Sequence, residues 1–259
     1  MPGERVLIIG GTRDARRLAT ALIAAGFEPV TSMAGVTREP AMTQGTVRIG
    51  GFGGHEGIVA YLAEARIVAI IDAAHPFAVR ISDNACRAAA LTGVPYLSLE
   101  RPPWGAGAED RWIAVDNAAQ AAAALDPGAR VLLTIGRRGL AEFFSRKDVT
   151  GVVRMIEPLG APLPRGWTLL AARPPFAVED ELALMRREGI SVLVTKNSGG
   201  PADAKLAAAR LLGLPVVMIA RPPKPAAARA SSVEEAVAWL RGVVGGVNRQ
   251  LAVGDRTDH

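Results

Sequence analysis

Twenty-odd residues at the start of the chain constrain what it can become. Val6, Leu7, Ile8 and Ile9 form a short apolar, β-friendly run, closed by Gly10 and Gly11. After the polar turn Thr12-Arg13-Asp14, apolar residues fall at Ala15, Leu18, Ala19, Leu22 and Ile23, with Arg16, Arg17 and Thr20 between them. That spacing predicts an amphipathic helix, and Gly26 stands where a helix-ending glycine is expected. A buried strand, a glycine turn and a helix N-terminus present free backbone N–H groups, a natural seat for phosphate. A plain strand-to-helix turn would look the same. The dinucleotide fingerprint G-x-G-x-x-G is not met, because its second and third glycines would fall at Thr12 and Ala15.

The same phrase recurs along the 259 residues, so the expected class is α/β. A single cysteine, Cys86, excludes an internal disulfide and sits in an alanine-rich helical run that suggests a small buried residue. No His/Cys cluster points to a metal. The first strand begins too close to Met1 for a signal peptide, and no apolar run reaches membrane-spanning length. A cytoplasmic protein with no membrane partner is expected. Of 30 basic residues only four are lysine (Lys147, Lys196, Lys205 and Lys224). Arginine suits planar recognition of carboxylate and phosphate, although compositional bias accounts for much of the excess. No basic run is interleaved with aromatics, so nucleic acid is not expected as a partner.

Several strand ends carry chemistry-bearing residues. The second strand, Glu28 to Met33, ends near Ser32, with Arg38 shortly after and no acidic residue before Glu39. Where a dinucleotide fold reads the adenosine ribose, an acidic residue selects NAD, whereas Ser or Arg accommodates NADP. A bound dinucleotide is therefore expected to be NADPH. Gly50-Gly51-Phe52-Gly53-Gly54 follows the short strand Val47–Ile49, and lets backbone approach a ligand or forms a flexible loop. The apolar strand Ile67–Ile71 runs into Asp72-Ala73-Ala74-His75-Pro76-Phe77. His75 is placed at a strand end where ligands bind and can carry a proton near neutrality. Asp126-Pro127-Gly128 reads as a domain boundary. Beyond it, Arg130–Thr134 restarts the opening phrase, with Gly136-Arg137-Arg138-Gly139 at its end. Lys196-Asn197-Ser198-Gly199-Gly200 follows another buried strand; it suits an anion, or it is a capped turn.

The two halves echo one another. Cys86–Pro103 aligns without a gap on Leu206–Pro223, both ending in Arg-Pro-Pro. We therefore expect two facing α/β domains with largely parallel sheets and a cleft between them: residues 1–126, 127–244 and a flexible tail 245–259.

Taken in order, Gly10-Gly11-Thr12-x-Asp14-Ala15-Arg16, Arg48-Ile49-Gly50-Gly51-Phe52-Gly53-Gly54, Asp72-Ala73-Ala74-His75-Pro76-Phe77-Ala78, Glu100-Arg101-Pro102-x-Trp104 and Thr195-Lys196-Asn197-Ser198-Gly199-Gly200 resemble the precorrin-6A reductase family of cobalamin biosynthesis. Asp14 stands where glutamate is common in that family, and Ala74 where threonine is common. The resemblance implies two Rossmann-like domains, and NADPH-dependent reduction of one double bond in a polycarboxylate tetrapyrrole, precorrin-6A, giving precorrin-6B, with hand-over to neighbouring pathway enzymes. On that reading Gly10, Gly11, Thr12, Arg13, Asp14, Ser32, Arg38, Gly53 and Gly54 contact NADPH. Arg101, Arg137, Arg138, Arg221, Lys196, Asn197, Ser198, Gly199 and Gly200 bind the substrate's acetate and propionate groups. His75 or Lys196 is the candidate proton donor or positioning group.

Three other readings compete: a cobalt-precorrin-6A reductase, a non-catalytic nucleotide-binding α/β protein, and a short-chain dehydrogenase or epimerase. The last needs a Tyr-x-x-x-Lys pair, and neither Tyr61 nor Tyr96 has a lysine four residues on.

Overall fold

The computed structural model describes residues 3–33, 44–201 and 203–254, with 246–254 described by backbone only. The chain divides into two compact units: 1–101 with 223–259, and 102–222.

The first unit is built on β1 (Arg5–Ile9), α1 (Arg13–Ala24), β2 (Glu28–Met33), β3 (Thr46–Ile49), α2 (His55–Glu64), β4 (Ile67–Asp72), α3 (Val79–Thr92) and β5 (Tyr96–Leu99). All its strands pair in parallel. Such a sheet is covered on both faces, which is why its strands read as unbroken apolar runs. The period-2 alternation sorts β1: Val6 and Ile8 pack with Leu18 and Leu22 of α1, while Leu7 and Ile9 pack with Ile58 and Leu62 of α2.

The second unit comprises β6 (Arg111–Val115), α4 (Ala118–Ala123), β7 (Arg130–Thr134), α5 (Leu140–Phe144), β8 (Thr150–Met155), β9 (Trp167–Ala171), α6 (Val178–Arg187), β10 (Val192–Lys196), α7 (Ala204–Leu211) and β11 (Pro215–Ile219). The chain then returns to the first unit as β12 (Ala228–Ala230) and α8 (Val233–Gly254).

Each sheet has six strands, in the orders β12-β5-β4-β1-β2-β3 and β6-β11-β10-β7-β8-β9. Both are the doubly wound order, in which the winding direction reverses beside the first strand. The switch points lie between β1 and β4 and between β7 and β10, and ligands of such sheets bind beyond the carboxyl ends there.

The boundary expected at Asp126-Pro127-Gly128 is replaced by two crossings, at Arg101/Pro102 and Pro222/Pro223. The cause is strand pairing. β6 precedes that turn in the chain, yet it pairs with β11 of the second sheet. β12 pairs with β5 of the first sheet, and Val233, Ala236 and Leu240 of α8 enter the core beside α1. The two Arg-Pro-Pro segments recognised as an echo are these crossings. α8 also carries the chain to Gly254, past Gly245, where the sequence predicts a loose tail. Cys86, expected to be buried, is half-exposed. No helix among the described residues is long and apolar enough to cross a membrane.

Candidate functional site

The carboxyl edge of the first sheet gathers the turn after β1 and the loop after β4. Gly10 sits against β2: its N–H bonds the Ser32 carbonyl at 2.8 Å, and a Cβ there would fall 2.5 Å from the Thr31 methyl. Gly11, at φ +99, has open space around it. Only glycine serves both demands without strain. Thr12 caps α1 by accepting from the Ala15 N–H at 3.0 Å, and its hydroxyl donates to the Ala73 carbonyl at 2.7 Å. One side chain thus fixes the helix N-terminus and joins the β1 turn to the β4 loop. Arg13 is exposed at the first position of α1. Asp14 forms a 2.7 Å ion pair with Arg101 at the end of β5. A depression here is lined by Thr12, Asp14, Ala73, Ala74, Pro76, Leu99, Glu100 and Arg101.

His75 borders it, next to Ala74 and Pro76. Its Nδ1 accepts from the Phe77 N–H at 3.3 Å, and its ring lies 5.7 Å from that of Phe77. An Nδ1 that accepts cannot carry the proton of a neutral ring, so that proton is assigned to Nε2.

Beneath this edge lies a buried polar network. Asp72, fully buried at the end of β4, accepts from the Ala74 N–H, the Tyr96 hydroxyl and the Lys224 ammonium, each at 3.0 Å. The Lys224 side chain is 3% exposed and also lies 4.0 Å from Glu100 Oε1, which accepts from the Ser98 hydroxyl at 2.6 Å. Burial, reinforced by the Asp72 charge and hydrogen bond, pushes the Tyr96 phenol far above its ordinary range, so it stays a donor.

The glycine loop after β3 is braced. Arg48 donates to the carbonyls of Gly50 and Gly51 at 2.7 and 2.9 Å, and its guanidinium lies 3.8 Å over the Phe52 ring. Gly53 and Gly54 have positive φ, and Gly54 begins α2 without a side-chain cap.

The carboxyl edge of the second sheet is built differently. Lys196, the last residue of β10, donates to the Ile135 carbonyl at 2.6 Å, beside the β7 turn that carries Arg137 and Arg138. Burial, with a smaller push from Arg138, lowers the Lys196 pKa. Arg137 and Arg138 are both exposed, and Arg137 donates to the Pro158 carbonyl at 2.6 Å. Asn197 clamps the backbone of Trp104, accepting from its N–H at 2.8 Å and donating to its carbonyl at 3.0 Å. The Trp104 indole donates to the Gly200 carbonyl at 2.7 Å. Arg221 donates to the carbonyls of Asn197, Ser198 and Pro102. Gly199, at φ +64, lies where a Cβ would fall 2.1 Å from the Pro102 carbonyl oxygen.

The sequence-predicted residues therefore separate into two groups. Gly10, Gly11, Thr12, Asp14, Ser32 and His75 meet at the first sheet's edge, and Arg101, expected among the substrate arginines, joins them through Asp14. Arg137, Arg138 and Lys196 meet at the second. Asn197, Gly199 and Arg221 hold the 196–200 turn in shape. Arg38 lies outside the described residues. Sequence reasoning missed the roles of Asp72, Tyr96, Glu100 and Lys224. Asp72 and Glu100 stand in the motifs that carry the family resemblance; for the other two the available signal was scarcity, Lys224 being one of four lysines and Tyr96 one of two tyrosines.

The family model described as precorrin-6x reductase CbiJ/CobK matches residues 5–241. A precorrin-6A reductase of Rhodococcus erythropolis is 48% identical over 240 residues, 91% of this chain and 97% of that protein. One from Rhodobacter capsulatus is 45% identical over 239 residues, 91% and 95% of the two chains. A cobalt-precorrin-6A reductase of Priestia megaterium is 33% identical over 236 residues, 84% and 90%. The solved structure of a CobK precorrin-6A reductase superposes with a TM-score of 0.89 at 44% identity, covering 93% of this chain and 97% of that one.

Proposed function

The chain belongs to the precorrin-6x reductase family, oxidoreductases of cobalamin biosynthesis, and from that premise we propose that it reduces precorrin-6A to precorrin-6B with NADPH as the reductant. The observation that carries the cofactor reading is the first sheet's edge: a glycine turn packed against β2, leading into the capped N-terminus of a 12-residue helix at the switch point. That arrangement fits a pyrophosphate. β2 ends in Ser32 and Met33 with no carboxylate to bond an adenosine 2′-hydroxyl, which favours NADPH over NADH.

When bound, NADPH supplies the hydride. The chain's own residues bind, orient and protonate. Gly10, Gly11 and the first turn of α1 receive the pyrophosphate, and Arg101 neutralises Asp14 so that this helix start is not repulsive to it. Ser32, Gly53, Gly54, Arg13 and Arg38 complete the cofactor set. Arg137, Arg138 and Lys196 take the acetate and propionate groups of the macrocycle by charge-assisted hydrogen bonds. His75 Nε2 delivers the proton to the carbon beside the reduced one. The bracing of the 196–200 turn by Arg221, Asn197 and Trp104 keeps Lys196 in place, so most of the catalysis is positioning.

The test is loss of NADPH absorbance on mixing with metal-free precorrin-6A. Oxidation with NADPH and much less with NADH is expected. No oxidation with precorrin-6A or its cobalt-containing counterpart would sink the reading and favour a non-catalytic nucleotide-binding role. The cobalt-containing substrate is the second reading, favoured by the 33% identical relative; faster turnover of that substrate would establish it.

A further inference from the structure

The nucleotide reading leaves Glu100 without a task, although it lines the first-sheet depression. Lys224 is a single ammonium facing two carboxylates. Asp72 holds it at 3.0 Å and takes two further donors, whereas Glu100 lies 4.0 Å away. Glu100 is therefore the less closely held of the two carboxylates. The two contacts of this carboxylate, from Ser98 and Lys224, both fall on Oε1; no donor among the described residues is placed on Oε2. The side chain is 17% exposed, so this oxygen is open to solvent or to a ligand.

An ionised carboxylate accepts hydrogen bonds and repels anions. It disfavours a phosphate or a substrate carboxylate and suits neutral hydroxyls or an amide N–H. Sheet order decides which part of a dinucleotide brings them. In a doubly wound sheet one nucleotide lies on each side of the switch point, and the adenosine ribose is read at the end of the second strand. Here that is β2, which leaves the nicotinamide half to β4 and β5. Glu100 directly follows β5.

Resting on the NADPH reading, we infer that Glu100 is the residue that receives the nicotinamide nucleoside, accepting from its ribose hydroxyls or carboxamide through Oε2, and that Ser98 and Lys224 are positioning residues that hold it there. The return of the chain after Pro223 is then part of the cofactor site, because it supplies Lys224. The network also explains why a lysine is buried beside a fully paired aspartate: its second neighbour is the carboxylate that meets the ligand.

Calorimetric titration of the full chain with NADPH and with 2′,5′-ADP, which lacks the nicotinamide half, tests the assignment. Glu100→Gln keeps the shape of the side chain and leaves Lys224 and Asp72 as a neutral pair. It should weaken NADPH by about tenfold, the effect of losing a hydrogen bond to a charged acceptor, and leave 2′,5′-ADP within about twofold. Ser98→Ala should show the same split with a smaller loss, about threefold. Unchanged NADPH affinity in Glu100→Gln, or equal weakening of both ligands, overturns the assignment while 2′,5′-ADP binding by the unaltered chain upholds the nucleotide reading. An unaltered chain that binds neither ligand overturns both.

Discussion

The two sheets share one strand order, and each sends the chain out after an Arg-Pro-Pro, yet their carboxyl edges are finished in opposite ways. The first edge has a glycine turn with space around Gly11 and a 12-residue helix whose N-terminus points beyond the strands. The second has a five-residue helix, α5, and a turn crowded by the Pro102 backbone and Arg221. The first arginine of the echo, Arg101, neutralises Asp14 in the first turn of α1, while the second, Arg221, donates to backbone carbonyls. Shared topology thus supplies two candidate ligand edges, and the local residues decide what each can hold. An open helix N-terminus suits a pyrophosphate, and a rigid turn bearing Lys196 beside exposed Arg137 and Arg138 suits carboxylates spread over a large ring.

Glycine substitution is the sharpest way to break that contrast. In Gly199→Ala the new methyl meets the Pro102 carbonyl and Arg221 in a left-handed conformation. The loss should be about 3 kcal/mol or more, seen as a lower midpoint in urea unfolding. Gly11→Ala carries only the conformational cost of its positive φ, about 1 kcal/mol. Equal losses would show that the second edge is no more constrained than the first.

Next in size is the network under the first edge. Lys224→Met strands the fully buried Asp72 carboxylate with two neutral donors, at an expected cost of about 3 kcal/mol. Adding Asp72→Asn removes the stranded charge and should recover most of that stability. A double variant no more stable than Lys224→Met would mean that packing around Lys224, not its charge, holds β12 and β5.

The edges should also separate in kinetics. Lys196→Met should lower kcat/KM for the macrocycle by at least about tenfold, or ~1.4 kcal/mol, and leave NADPH affinity unchanged. Arg101→Leu should do the reverse, weakening NADPH by a few-fold, because it leaves Asp14 unneutralised at the helix start. Arg101→Leu acting on the macrocycle alone would return this arginine to the substrate set.

Much of this organisation is legible in the sequence, because parallel strands and glycine turns are local signals. The turn Gly10–Asp14 and the strand running into Asp72 were readable from period and spacing, whereas Arg137 and Arg138 entered through the family resemblance, and the pairing of β7 with β10 is what brings their turn beside Lys196. The domain boundary was not. Asp126-Pro127-Gly128 is a strong turn, but whether a turn divides domains depends on which sheet the preceding strand joins. β6 joins β11, which lies about a hundred residues further along the chain. The roles of Glu100 and Lys224 were hidden for the same reason: their meeting with Asp72 is made by the return of β12, and no spacing in the sequence encodes it.

The smallest effect concerns Lys205, behind the second edge. It lies 4.7 Å from the centre of the Trp104 ring, near Arg154 and Glu181, which form a buried 2.8 Å ion pair. Burial and the Arg154 charge push the Lys205 pKa down to about 8, against the opposing pull of Glu181 and Asp203. In the unfolded chain a lysine titrates near 10.4. Between these values the unfolded state binds more protons, so stability rises with pH from about 8 and levels off where the unfolded lysine loses its proton. Below that window the folded state carries the full cost of a poorly solvated ammonium. Lys205→Met, which keeps most of the side-chain volume, should therefore stabilise the chain at neutral pH by about 1 kcal/mol, an advantage that shrinks as the pH climbs through the window. Urea midpoints for both proteins across that range check the sign. A variant that is less stable at neutral pH would show instead that the ammonium's contact with Trp104 and its attraction to Glu181 outweigh its desolvation, making Lys205 another brace of the second edge.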